Sequence, residues 1–276
     1  MMLTLSSRAA YAVLVSLLLA ATAQSQNTSA KLDGRSTRSL SVSLLVDQFS
    51  SSKQSTRIHA FYTLLGAGAF SGPGAPEAAW RAAMARAPEE ERRAREAVVS
   101  LLSREQRFVR DTKVRIQSEI FSNYFGDLIW MVAELREPIA VDVLLDALPT
   151  GHNAAVGLAR LGEPALNRLL TLSRSNSAPD RERSAQGLAV MASEDGRKWI
   201  PALRQVDVRA TLLRLGTDAN PSTRLFAATG LETYRDGEVR ALFAQLAADS
   251  TDCTSVQGRR VCPVQRLARI WLEKNR

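Results

Sequence analysis

Ser222-Thr223-Arg224-Leu225-Phe226-Ala227-Ala228-Thr229-Gly230-Leu231 echoes an earlier stretch of the same chain, Ser55-Thr56-Arg57-Ile58-His59-Ala60-Phe61-Tyr62-Thr63-Leu64. A shorter echo, Ala-x-Gly-Leu, occurs three times, at Ala155–Leu158, Ala185–Leu188 and Ala228–Leu231. Its starts lie 30 and 43 residues apart. Periods of this size mark stacked supersecondary units, each burying its apolar face against the next. The expected fold class is all-α, an α-solenoid of antiparallel helix pairs. Arrays of this kind work as binding surfaces more often than as enzymes.

Working outward from the echoes, the chain reads as helices. Leu44, Leu45 and Phe49 are expected on one face of a first helix over 40–49. Ile58, Phe61, Leu64 and Leu65 stripe a second, which Gly66 ends. A Gly/Pro/Ala loop over 66–76 leads to helices at about 76–87 and 89–103. Val114 to Glu134 is the longest apolar-periodic stretch. From Pro138 a series of paired helices follows. Residues 138–148 pair with the preceding helix, and 152–161 with 164–173. Residues 180–192 pair with a partner split at Pro201 into 197–204 and 206–215, and 221–234 pair with 238–247. A last helix spans 263–273. Within the segment before it, Thr254-Ser255-Val256 and Arg259-Arg260-Val261 flank Gln257-Gly258, the signature of a small hairpin.

A small residue precedes a Leu by four positions at Ala60/Leu64, Ala154/Leu158, Ser184/Leu188, Ala227/Leu231 and Ala268/Leu272. Such pairs share a helical face, so the small residue admits a neighbouring helix and the Leu fills the layer between units. Together with Ala154–Gly162, Pro164-Ala165-Leu166 and Asn220-Pro221-Ser222-Thr223-Arg224, this pattern resembles HEAT repeats, in the short, Ala-rich form also seen in phycobilin-lyase-type proteins. The resemblance covers about 138–248 and extends to 40–66. It implies that the Arg of each Ser-Thr-Arg segment is structural. It does not imply the family's iron chemistry, which needs several His-Glu pairs: here His59 precedes Ala60 and His152 precedes Asn153.

The chain's start reads as export. Arg8, the uncharged run 9–23 and Ala21-Thr22-Ala23 match the n-region, h-region and cleavage site of a signal peptide cut after Ala23. Residues 24–39 read as a flexible leader containing Asn27-Thr28-Ser29, and 40–276 as a single repeat domain, secreted or periplasmic. The formal net charge is +8, and only five of the basic residues are Lys. Nucleic acid is a poor partner for an exported chain. The charge is carried by Arg scattered among Asp and Glu, as in Glu89-Glu90-Glu91-Arg92-Arg93-Ala94-Arg95-Glu96, a solvated helical face with i,i+4 pairs. Cys253 and Cys262 are the chain's two cysteines, and in an oxidising compartment they are expected to bond. The closed loop is worth about 2.5–3 kcal/mol by chain entropy. Two thiols do not complete a zinc shell, and His59 and His152 are the two histidines of the sequence.

No phosphate loop, nucleophile elbow or metal spacing appears, and Gly66–Gly74 follows a helix rather than the strand a dinucleotide site needs. No catalytic, cofactor or metal residue is expected. Trp80, Trp130, Trp199 and Trp271 are read as core, with a groove for peptide or glycan as the other option. Two function classes remain. The first is a non-catalytic exported scaffold for a protein or peptide partner, with an acidic partner as one option. The second is an envelope enzyme or an accessory domain of one. Arg259 and Arg260, at the tip of the cysteine loop, are the candidate contacts to an acidic partner.

Overall fold

A computed structural model describes residues 41–66, 75–112, 119–150, 152–256 and 259–276. The expected signal segment and leader, the loop 67–74 and the hairpin tip 257–258 lie outside them. Residues 41–276 form a single unit. Its helices are α1 (Val42–Gln48), α2 (Gln54–Leu65), α3 (Ala75–Met84), α4 (Glu91–Thr112), α5 (Glu119–Leu135), α6 (Val141–Ala147) and α7 (His152–Leu161). There follow α8 (Glu163–Leu172), α9 (Ala178–Ala192), α10 (Glu194–Arg197), α11 (Gln205–Leu215), α12 (Pro221–Leu231), α13 (Gly237–Ala248) and α14 (Pro263–Lys274). Strands β1 (Thr254–Val256) and β2 (Arg259–Val261) pair antiparallel between α13 and α14, with Val256 opposite Arg259. The cysteine loop is thus the expected hairpin, closed by the Cys253–Cys262 disulfide.

The helices stand in two layers. Helices α5, α7, α9, α12 and α14 lie side by side in one, and α4, α6, α8, α11 and α13 in the other. Helix α1 extends the second layer through α4, and α3 extends the first through α5. Local chemistry sets the helix starts. Ser41, Asn220 and Asp236 cap α1, α12 and α13 by accepting free N–H groups of the first turn. Proline stands in the first turn of α8, α9, α12 and α14, where its missing N–H costs nothing. Gly66 ends α2 in the left-handed conformation, at φ 64°.

The small-residue/Leu register holds. Ala60, Leu64, Ala154, Leu158, Ser184, Leu188, Ala227, Leu231 and Ala268 are fully buried, and Leu272 is half-buried against the core. The glycines of the Ala-x-Gly-Leu echo explain themselves here. A Cβ on Gly157 would lie 2.9 Å from Ala133 of α5. One on Gly187 would lie 2.8 Å from Leu169 of α8, and one on Gly230 2.7 Å from the Ala189 Cα of α9. Each glycine is where a unit presses into the groove of the unit before it, and packed interiors leave no room for a methyl there.

The arginines four residues after the N-caps of α2, α9 and α12, two of them in the Ser-Thr-Arg segments, also have a common task. Arg57 donates to the carbonyls of Ser51 and Ser52, six and five residues upstream, at 2.8 and 3.1 Å. Arg224 does the same to Asp218 and Ala219 at 2.7 and 3.0 Å, and Arg181 to Ser175 and Asn176 at 3.0 Å each. Each guanidinium therefore staples the loop that enters its own helix. Its other edge then meets a carboxylate from further along the chain. Arg57 meets Glu105 at 2.6 and 3.1 Å, Arg181 meets Asp218 at 2.6 and 3.2 Å, and Arg224 meets Asp249 at 3.3 Å. These side chains are structural, and a planar fork is the group that can serve both edges.

Four expectations are corrected. Leu44 faces outward, and Val42, Leu45, Val46 and Phe49 form the buried face of α1, because the helix starts at Val42 and turns Leu44 away from α4. The helix expected over about 89–103 is α4, which starts at Glu91 and runs on to Thr112. Helix α6 packs on α7 and α4 more than on α5. The segment expected as a helix over 197–204 is a one-turn helix at 194–197 and a 3-10 turn at 202–204. Ser193 caps the first by accepting the Gly196 N–H, and Pro201 precludes continuity into the second.

Candidate functional site: a groove along the first layer

Helices α5, α7, α9 and α12 together border a cavity of about 1100 Å³. Its floor can be read from the Ala-x-Gly-Leu echo. The Ala, Gly and Leu of each copy are buried, with Ala155 and Gly230 reaching the groove at their edges, whereas the variable x residue, Val156, Gln186 or Thr229, lines it in all three copies. The residues three and four positions further on line it too: Ala159 and Arg160, Ala189 and Val190, Glu232 and Thr233. The spacing x, x+3, x+4 is one face of a helix. Three successive helices thus expose one stripe each, in the same register. Most of these side chains are small and uncharged, and the charged ones, Arg160 and Glu232, stand towards opposite ends of the series.

Aromatic side chains form the rim. Trp130 comes from α5, Phe226 from α12 and Trp199 from the segment after α10, and all three are half-buried. Trp199 is held from several sides. Its carbonyl lies 3.0 Å from where a Gly162 Cβ would stand, and Gly162 has φ 67°. The Arg136 guanidinium sits 4.4 Å over its ring. Gly196, one turn before it, comes so near the Val190 carbonyl that a Cβ would be 1.9 Å away. Arg160 lies 5.5 Å over the Trp130 ring and is bonded to Glu134. Gln186 donates to the Leu148 carbonyl at 3.1 Å, and Glu182 accepts from Asn220 at 3.1 Å. Burial pushes the Glu232 carboxyl above the usual carboxylate range, against the pull of Lys274 and Arg235.

The four tryptophans therefore divide. Trp80 and Trp271 are buried, as expected, with Trp271 donating to the Glu232 carbonyl at 3.0 Å. Trp130 and Trp199 line the groove instead. Composition gave no sign of this division, but the echo did carry one, in the single position that varies between its copies.

The other expected site residues are placed as follows. Arg260 is exposed on β2, beside the disulfide, while the side chain of Arg259 lies outside the described residues. His59 is exposed on α2, and the side chain of His152 lies outside the described residues. Among the described residues, no three His, Cys, Asp or Glu side chains are grouped as metal ligands would be. Sequence reading missed a buried polar cluster near the other end. Glu105 is fully buried and accepts from Arg57, Gln54 and Tyr124. Tyr62 donates to Asp127 at 2.8 Å, and Phe61, Tyr62 and Tyr124 meet edge to face. Burial, reinforced by the neighbouring carboxylates, pushes both phenols far up, so they stay protonated donors.

No family model matches the chain, and no curated protein matches it. Solved structures do. A computationally designed armadillo repeat protein made for modular peptide recognition is 17% identical, with a TM-score of 0.41, over 85% of this chain and 100% of its own. A second designed armadillo repeat protein is 16% identical, with a TM-score of 0.39, over 85% and 100%. An engineered protein is 19% identical, with a TM-score of 0.38, over 84% and 95%. The likeness concerns stacked helices alone.

Proposed function

We propose that this chain is a non-catalytic, exported scaffold of HEAT type that binds an extended segment of a protein partner in the groove of the first layer. The observation that carries the reading is the register of the floor. Three helices in succession offer the same x, x+3, x+4 stripe, so the groove repeats along its length as an extended peptide does. Half-buried aromatics at the rim are the side chains that most often anchor a bound segment. The floor's small, uncharged side chains leave room for a main chain to approach.

Export is part of the proposal. Arg8, the apolar run to Ala23 and the small-residue cleavage site support it, and so does the Cys253–Cys262 bond, since disulfides persist in oxidising compartments. Sequencing the N-terminus of the protein recovered from outside the cytoplasm should return a start near Gln24; an intact Met1 would overturn it.

Groove binding is tested by selecting displayed peptides on the purified protein. Selected peptides should quench or shift tryptophan emission, and Trp130→Ala with Trp199→Ala should weaken them by about tenfold or more, given the usual cost of losing an anchor. Peptides whose affinity ignores both tryptophans would refute the groove.

A further inference from the structure

Charge is distributed along this chain in a way that its total conceals. Residues 41–258 carry 26 basic and 26 acidic side chains, a net charge of zero. The last 18 residues, β2 and α14 with their flanks, carry six basic side chains and one acidic one. The basic ones are Arg259, Arg260, Arg266, Arg269, Lys274 and Arg276, and the acidic one is Glu273. Over the described array, the excess positive charge therefore belongs to one hairpin strand and one helix.

The fold keeps that charge outside. Helix α14 packs its Val264, Ala268 and Trp271 face on α12 and α13. The opposite face exposes Arg266, Arg269, Ile270 and Glu273, at i, i+3, i+4 and i+7. Arg266 is informative, because it stands four residues after its helix N-cap, as Arg57, Arg181 and Arg224 do after theirs. Those three spend their guanidinium groups on the entering loop and on a carboxylate. At α14 the entering loop is closed differently, by the Cys253–Cys262 bond and by Asp252, which accepts the Val264 N–H at 2.7 Å. The Arg266 side chain is left exposed with no hydrogen bond among the described residues. The Arg260 side chain is exposed and unbonded there as well, and the Arg269 side chain makes one long bond, 3.3 Å, to the Ala247 carbonyl. Two large apolar side chains are exposed in this segment: Ile270 (37%) on the same helix face as Arg266 and Arg269, and Val261 (39%) beside Arg260 in β2, on the other side of that strand.

Unpaired cations interleaved with exposed apolar side chains are what an anionic lipid surface attracts. The phosphates draw the guanidinium groups, and the aliphatic side chains enter the interface. An acidic peptide would need no exposed Ile between the arginines. We propose that the exposed face of α14, assisted by the exposed Arg260 of β2, docks this protein on an anionic phospholipid surface, independently of whatever the groove binds. No described helix is long and apolar enough to cross a membrane, so the contact is peripheral.

The test is co-sedimentation of the full chain, as purified from expressing cells, with vesicles. One set is phosphatidylcholine alone and the other contains roughly a third phosphatidylglycerol. All variants share the same first 40 residues, so that segment cancels in the comparison. Binding is expected on the anionic vesicles only, and it should weaken at high salt. Arg260→Glu with Arg266→Glu and Arg269→Glu should reduce it roughly hundredfold, three favourable charges being lost and reversed. The matching Arg→Lys triple variant should keep it, since the field needs charge rather than a fork. All three positions are exposed, so equal melting temperatures show that folding is unaffected. Equal binding to neutral vesicles, or by the Glu triple variant, would overturn the proposal. Capture on immobilised polyglutamate without any vesicle binding would overturn it as well, by making the partner an acidic chain.

Discussion

Residues 41–135 and residues 152–248 use the same staple and finish it differently. In both regions an arginine four residues into a helix reads the carbonyls five and six positions behind it. In the second region its other edge meets an aspartate in the loop that enters or follows a later helix, Asp218 for Arg181 and Asp249 for Arg224. Such a contact passes from unit to unit. In the first region Arg57 meets Glu105 in the middle of α4, fully buried and shared with Gln54 and Tyr124. The difference teaches where each region stores its specificity. The second region is a chain of equivalent, partly solvated links, whereas the first is closed around one ionic and aromatic cluster.

The sharpest way to break this contrast is to remove the arginines. Arg57→Ala leaves the Glu105 carboxylate buried without its cation, at a cost of about 3–5 kcal/mol. Arg181→Ala exposes Asp218 to water, and should cost about 1–2 kcal/mol. Denaturant melts of the two variants measure both, and similar losses would erase the distinction. Asp218 sharpens it further. Burial works against its charge, but Arg181 and the Asn220 N–H overcome that and hold the carboxyl below the usual aspartate range. The link's stability is therefore present at neutral pH and is lost as pH falls through that lowered value.

Two glycines give the next effect. Gly230→Ala forces a methyl to 2.7 Å from the Ala189 backbone and should destabilise by about 1–3 kcal/mol. Gly126, in the first region's α5, has open space where a Cβ would stand. Gly126→Ala should stabilise by about 0.5–1 kcal/mol through helix propensity alone. Thermal melts should move in opposite directions; two shifts of the same sign would contradict the packing described.

The smallest expected effect concerns Glu232. Because burial raises its folded carboxyl above the ordinary value, the folded state holds the proton more tightly. Stability attributable to this group is fully present below the unfolded value and declines as pH rises through the folded one. Glu232→Gln should therefore raise the melting temperature slightly at neutral pH and leave it unchanged in acid. A variant less stable than the parent at neutral pH would contradict this.

How much of this was legible in the sequence follows the same division. From Pro138 onward, helix bounds, the small-residue register and the cysteine hairpin stood in the residues, because each unit repeats one local code of cap, proline, Ala and Leu. The break at 197–204 is not legible, since Ser193 and Gly196 act through single contacts that no periodicity records. In the first region the residues mark Arg57 as structural but do not link Glu105, Tyr62 and Asp127 to it. Their sequence separations, 48 residues between Arg57 and Glu105 and 65 between Tyr62 and Asp127, put that cluster beyond any local pattern. The groove is half legible: its floor lies at the variable position of an echo whose fixed positions carry the repeat.

Gln186 is the centre of that floor, half-buried, with Val156 and Thr229 at the same position of the neighbouring units. The most direct measurement is the affinity of a selected peptide for Gln186→Trp, which fills the groove from an open position, set beside the parent and the Arg260/Arg266/Arg269 triple Glu variant. Binding should fall by about tenfold or more in Gln186→Trp, as expected when a buried contact surface is displaced, and stay at the parental level in the triple variant. Undiminished binding by a folded Gln186→Trp would contradict a partner site in the groove.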